Sequence, residues 1–237
     1  MQLSNILLHP VPPKSGYGVV WVNLPMEPFS QKIAINIPLK YIYLMARKHS
    51  ERCKVCKQRI FELLKISFGN VEEQYNLNLP SKLEDYKGKG IFDDLAKIYN
   101  SLQNYRGFND FVKAKTLPNV DFFVHAPKMV VEFDESQHFT KPRAISLSHY
   151  PDYLQLGFDK DWWIQRCLKL NMRDNDPPYR DEQRAWYDTL RDFINIPTVR
   201  LLPEEAIWCD LDTTNKIDVK WFKNLILKKV GGEYEQR

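Results

Sequence analysis

Between Glu51 and Ser67 the positions Cys53, Cys56, Ile60, Leu63, Leu64 and Ser67 recur in steps of three and four, which predicts an amphipathic helix. Gly69-Asn70 closes it, as a residue able to turn left-handed commonly does. Ahead of it, Pro10, Pro12, Pro13, Pro25, Pro28 and Pro38 argue against long helices in the first forty residues. Tyr17 to Val22 and Lys32 to Ile37 are β-branched and aromatic enough to be strands. After it, Val71 to Leu79 reads as a strand with polar alternation. A helical region runs from Pro80-Ser81 to about Phe111, interrupted at Gly88 and Gly90. Asn119 to His125 and Met129 to Glu135 are short apolar strands joined by Ala126-Pro127-Lys128, a hairpin. Ser136 to Tyr150 is a polar, histidine-containing stretch. Phe158 to Leu170 and Asp181 to Ile194 read as helices, the second led in by Asp176-Pro177-Pro178. Pro197 to Leu202 is a last apolar strand, and Val219 to Lys229 a terminal amphipathic helix.

This mixed order predicts a three-layer α/β core rather than a bundle or a sandwich. The organisation expected is an N-terminal extension with strands (1–50), a core (51–210) with a helical insertion at about 81–112, and a C-terminal helix and tail (211–237).

Composition narrows the classes. The chain has 237 residues, 43% of them apolar and 27% charged, which argues for a folded globular protein. No run approaches the roughly 20 apolar residues of a membrane span, and the start lacks the pattern of a secretory signal. Four cysteines are too few for a disulfide scaffold, so a cytoplasmic, reducing setting is the expectation. The formal net charge of +4 excludes a uniformly basic coat but not a local basic groove.

The chemistry concentrates in the hairpin. Strand side chains alternate, so Glu132 and Asp134 face one way and Val131 and Phe133 the other. Paired carboxylates in an apolar strand need a cation, a proton or basic partners. Asp121 lies on the neighbouring strand, within reach of that pair. Three hard oxygen donors suit Mg²⁺, with Mn²⁺ as the substitute, water and substrate phosphate filling the remaining positions. Gln137 and His138 follow the strand, where His138 can orient a water, act as acid or base, or contact phosphate. The competing reading is a solvated strand face with ordinary salt bridges.

Basic residues surround this hairpin. Arg47 to Lys65 carries seven Lys or Arg against two acids, Arg52 and Lys57 among them. Lys113 and Lys115 precede the Asp121 strand, and Lys141 and Arg143 follow the Glu132 strand. A polyanion passing over the site fits that placement; a solvated helix face is the plainer alternative. Cys53 and Cys56 fall on the apolar stripe and are expected to pack as small hydrophobes, ahead of redox chemistry or a structural Zn²⁺, for which two further ligands are not apparent. Trp162-Trp163 and Trp186-Tyr187 are expected to pack rather than stack on bases.

The pattern Pro118-x-x-Asp121 followed by Glu132-x-Asp134 resembles the PD-(D/E)xK nuclease superfamily. The segment Val131 to Phe139 (V-E-F-D-E-S-Q-H-F) is similar to the E-x-D-x-x-Q-H segment of very-short-patch-repair-like endonucleases and their uncharacterised relatives. Asp181-x-x-Arg184 at a helix start and Val199-Arg200 in the last strand extend the likeness over roughly residues 51 to 205. The resemblance implies a restriction-endonuclease-like core (helix, three strands, helix, strand). It also implies Mg²⁺-dependent endonuclease activity, most naturally on DNA, with Asp121, Glu132 and Asp134 at the metal, Gln137 and His138 beside it, and Arg184 among the nucleic-acid contacts. The superfamily's usual lysine, two positions after the glutamate, is replaced by Asp134, and Glu135 stands where relatives often have glycine. Double-strand cleavage would call for a homodimer or a partner protein. Two other readings stay open: a non-catalytic nucleic-acid-binding or assembly subunit on a degenerate nuclease core, and a different metal hydrolase using His138 and His149.

Overall fold

The computed structural model describes residues 17–24, 31–38 and 53–231. The chain divides into two compact units, Met1–His49 and Ser50–Arg237. In the first, β1 (Tyr17–Leu24) and β2 (Gln31–Pro38) pair antiparallel, from Tyr17 opposite Pro38 to Leu24 opposite Gln31. Both lie where β-branched and aromatic content predicts strands.

The second unit runs α1 (Lys54–Phe68), β3 (Val71–Tyr75), α2 (Phe92–Arg106), β4 (Val120–His125), β5 (Lys128–Phe133), α3 (Lys141–Ser148), α4 (Lys160–Leu170), α5 (Arg180–Asp192), β6 (Thr198–Leu201) and α6 (Lys216–Lys229). Its four strands form one open mixed sheet in the order β3-β4-β5-β6. The β3–β4 and β4–β5 pairs are antiparallel and β5–β6 is parallel. A parallel pair needs a long crossover, which α3, α4 and α5 supply. The fold is mixed α/β.

Alternation along the strands decides what covers each face. Phe122, Val124, Val131, Phe133, Val199 and Leu201 point one way and form a core with Cys56, Ile60, Leu63 and Leu64 of α1 and Phe222 and Ile226 of α6. Burying each such side chain contributes roughly 1.5–3 kcal/mol. The opposite face carries Glu132 and Arg200 and is covered by α5. That helix sends Ala185, Trp186 and Leu190 into a second core with Leu95, Ile98 and Leu102 of α2, Ala144 and Leu147 of α3, and Trp163 and Cys167 of α4. Trp163, Trp186 and Tyr187 are therefore core residues, while Trp162 keeps 45% of its surface exposed.

Some boundaries differ from expectation for local reasons. Strand β3 stops at Tyr75, just beyond Gln74, which adopts φ 49°. The polar stretch after β5 contains α3, an eight-residue helix that the mixed composition concealed. Its Thr140 N-cap accepts from the Arg143 amide, with Pro142 in its first turn. Gly69 closes α1 at φ 82°, a left-handed conformation that glycine adopts without steric cost. Gly157 serves a different need: a Cβ there would lie 2.4 Å from the Thr198 carbonyl oxygen, so only glycine lets that loop lie against β6.

Candidate active site at the end of the central hairpin

The β4–β5 register pairs Phe122 with Val131. One step further, at the end of the pairing, Asp121 lies across from Glu132. The Asp121 amide approaches Glu132 Oε2 at 3.4 Å, and Asp121 Oδ2 accepts from the Phe133 amide at 2.9 Å. Lys57, one turn into α1, donates its Nζ to both Asp121 oxygens at 2.8 and 2.9 Å. The lysine side chain is 37% exposed and the aspartate 13%, so this corner opens to solvent.

Glu132 sits deeper, 7% exposed. Its Oε1 lies 2.9 Å from Arg191 Nε. The contact is electrostatic rather than directional, because neither atom finds a hydrogen-bond partner. Burial pushes the Glu132 carboxyl up to about 7; Arg191 opposes the rise, while Asp121 and Asp134 add to it.

Behind this corner lies a buried ionic network. Arg200, opposite Glu132 in the β5–β6 register, donates to Asp134 Oδ2 at 2.7 Å and to Asp192 Oδ1 at 2.8 Å. Asp192 also accepts from Arg143 at 2.6 Å and from the Tyr150 hydroxyl at 2.8 Å. Asp188 meets His138 Nδ1 at 2.9 Å and Arg191 at 3.2 Å. Burial works against the His138 imidazolium, but Asp188 and Asp134 outweigh it and raise its pKa. Burial likewise opposes ionised Asp188, yet His138 and Arg200 hold its carboxyl well below the usual range. Arg200, fully buried among carboxylates, is held firmly charged despite its desolvation.

The structure thus brings Asp121, Glu132 and Lys57 together and turns Asp134 away, into Arg200 and toward His138 at 3.6 Å. His138 is oriented by Asp188. The Gln137 amide reaches Glu135 at 3.3 Å, and its carbonyl accepts from Arg184 at 2.9 Å.

Two expected nucleic-acid contacts are corrected. Arg143 is 1% exposed and bound to Asp192, because α3 packs inward. Arg184 holds the Gln137 carbonyl and Asp174, so its guanidinium braces the loop around His138. Lys115 and Lys141 are exposed, and Lys113 is an exposed lysine paired with Asp110. Arg52 lies outside the described residues.

The cysteine expectation also changes. Cys53 and Cys56 are joined as a disulfide, with Cys53 as the N-cap of α1. That pairing leaves neither sulfur for zinc.

Asp188, Arg191 and Asp192 were not recognised as site residues from sequence. They repeat at helical spacing on α5, a pattern that ordinarily marks a solvated face.

For a divalent cation, the fit rests on two carboxylates. Asp121 already holds a cation, the Lys57 ammonium, on a flexible and exposed stem, and Glu132 Oε1 lacks a hydrogen bond. One or two carboxylates completed by water and phosphate suit Mg²⁺ or Mn²⁺. Among the described residues no group of three or more His, Cys, Asp or Glu is arranged to hold a metal ion. Asp134 is bound by Arg200, and His149 caps the end of α3.

No family model, curated protein or solved structure matches this chain. No helix among the described residues is long and apolar enough to cross a membrane.

Proposed function

We propose that the chain is a metal-dependent nuclease of the PD-(D/E)xK type, built on a restriction-endonuclease-like core and hydrolysing phosphodiester bonds in DNA. The observation that carries this reading is the meeting of Asp121 and Glu132 at the solvent-facing end of β4 and β5, with Lys57 bound to Asp121. Mg²⁺ or Mn²⁺, when bound, polarises the scissile phosphate and lowers the pKa of a coordinated water.

In this reading Asp121 and Glu132 hold the ion, and Glu132 binds it best once deprotonated. Lys57 fills the role left open by Asp134: released from Asp121, its ammonium neutralises charge on the phosphate. His138, oriented by Asp188, stands at the rim as a proton carrier or phosphate contact. Lys115 and Lys141, exposed on either side of the hairpin, and Lys113 beside them, guide the polyanion by long-range charge.

A second reading, nucleic-acid binding without cleavage, draws on Arg191 and Arg200. These arginines neutralise Glu132 and Asp134 from within, as a core that needs no metal would. One experiment separates the two. Plasmid and single-stranded DNA are incubated with the protein, with and without Mg²⁺ or Mn²⁺, beside Glu132→Ala and Asp121→Ala. Metal-dependent cleavage lost in both variants supports the nuclease. Binding without cleavage in any metal supports the second reading.

A further inference from the structure

Cys53 and Cys56 are bonded to each other across the first turn of α1, and the proposed nuclease chemistry does not use them. The two sulfurs differ in access. Cys56 is fully buried in the sheet–helix core, whereas Cys53 is partly exposed at the N-cap. The Cys56 amide points at Cys53, 3.0 Å from its carbonyl oxygen and 3.1 Å from its Sγ. The first turn carries no acidic side chain. Lys54 and Lys57 follow directly. Backbone amides at a helix N-terminus form the setting that stabilises a thiolate and makes a Cys-x-x-Cys pair exchange readily. The reduced thiols elsewhere are set differently: burial raises Cys167 to about 12, and burial together with Asp210 raises Cys209.

We infer that Cys53–Cys56 is a reversible dithiol–disulfide site, attacked at Cys53 by a small dithiol or glutathione-class reductant, whose state sets how firmly the first turn of α1 presents Lys57 to Asp121. In the exchange a reductant thiolate bonds to Cys53 Sγ, the Cys53–Cys56 bond breaks, and Cys56 leaves as a thiolate that takes a proton. A second reductant thiol then displaces Cys53. The protein pair gains two electrons and two protons, and the reductant becomes its disulfide. With the bridge open, the turn depends on the Cys53 carbonyl, which accepts from the Cys56 and Lys57 amides at 3.0 and 3.3 Å. Helix ends held only by such bonds fray. Lys57 belongs to that turn, so its grip on Asp121 loosens on reduction. Only the consequence for cleavage rests on the nuclease reading; the thiol chemistry does not.

The full-length protein is equilibrated in glutathione buffers of stepped ratio, and its thiols are counted by a mass-shifting maleimide. The expected result is one two-thiol transition within the glutathione range, absent from Cys53→Ser and Cys56→Ser. The Cys56→Ser variant is expected to take up glutathione from its disulfide at least about tenfold faster than Cys53→Ser, because the exposed sulfur is the one retained. Hydrogen exchange of the wild type is expected to quicken across residues 54–58 on reduction. A pair that stays fully bridged or fully reduced throughout, or equal uptake in the two variants, overturns the redox site. Unchanged exchange across 54–58 overturns its link to Lys57. Each of these readouts holds whether or not the protein cleaves DNA.

Discussion

Two sets of acid–base pairs stand a few residues apart in this molecule and behave as opposites. Around Arg200, Asp134, Asp188 and Asp192 are almost fully buried, and each carboxylate meets a guanidinium or an imidazole. At the end of β4, Asp121 meets a single lysine that is more than one-third exposed. Both contain N–O separations under 3 Å, so distance alone does not tell them apart. What differs is solvation. Buried charges that lose a partner have no water to replace it, while an exposed ammonium exchanges its partner for water at little cost. The first set therefore fixes geometry, and the second can yield to a metal ion or a phosphate.

The largest effect is expected in the buried set. Arg200→Met removes the guanidinium from buried Asp134, takes one of the two that hold Asp192, and is expected to cost about 3–5 kcal/mol of stability, measured by denaturant unfolding. A loss below 1 kcal/mol would erase the distinction. Next, Asp121→Asn is expected to lower Mg²⁺-dependent cleavage by about 100-fold, equivalent to ~2.7 kcal/mol, while the unfolding midpoint barely moves. A variant that keeps cleavage but unfolds easily would assign Asp121 to the structural set instead. Lys57→Met is expected to change stability by only ~0–1 kcal/mol and to slow cleavage about tenfold, a loss of ~1.4 kcal/mol. Cleavage rates and thermal melts on the same preparation show whether the two quantities separate.

The smallest effect concerns pH. His138 titrates higher in the folded protein than in the unfolded chain, so its contribution is fully present below the unfolded value near 6.5 and is lost as pH rises through the folded value. Asp188 has the reverse sign: its contribution is present above the ordinary carboxylate value and is lost as pH falls toward its depressed folded value. His138→Asn is expected to flatten the stability profile above neutral pH. An unchanged slope between pH 6 and 8 would remove His138 from the network.

Much of the fold was legible in the chain. The three-and-four spacing from Cys53 to Leu64 gives α1 and its buried face, since an amphipathic helix must cover its stripe. The Asp121 and Glu132 strands follow from two short apolar runs about a three-residue turn, and strict alternation places Glu132 and Asp134 on one face. The α3 helix was hidden because its inward face contains Arg143 and Ser146 rather than a clean apolar stripe. The charge stripe of α5 carried no signal for a related reason: such spacing ordinarily marks a wet face, yet Asp188, Arg191 and Asp192 dock onto the charged face of the sheet.

By itself, then, the sequence determined that the two central strands pair as a hairpin, which faces are apolar and that the acids gather there. Those properties follow from local periodicity, and local periodicity is written in residue order. Only the tertiary structure decided that Arg200 takes Asp134, that Arg191 faces Glu132 and that Lys57, 64 residues away, reaches Asp121. Each of those choices depends on which charges the packed helices bring against the sheet, and no sequence spacing records that.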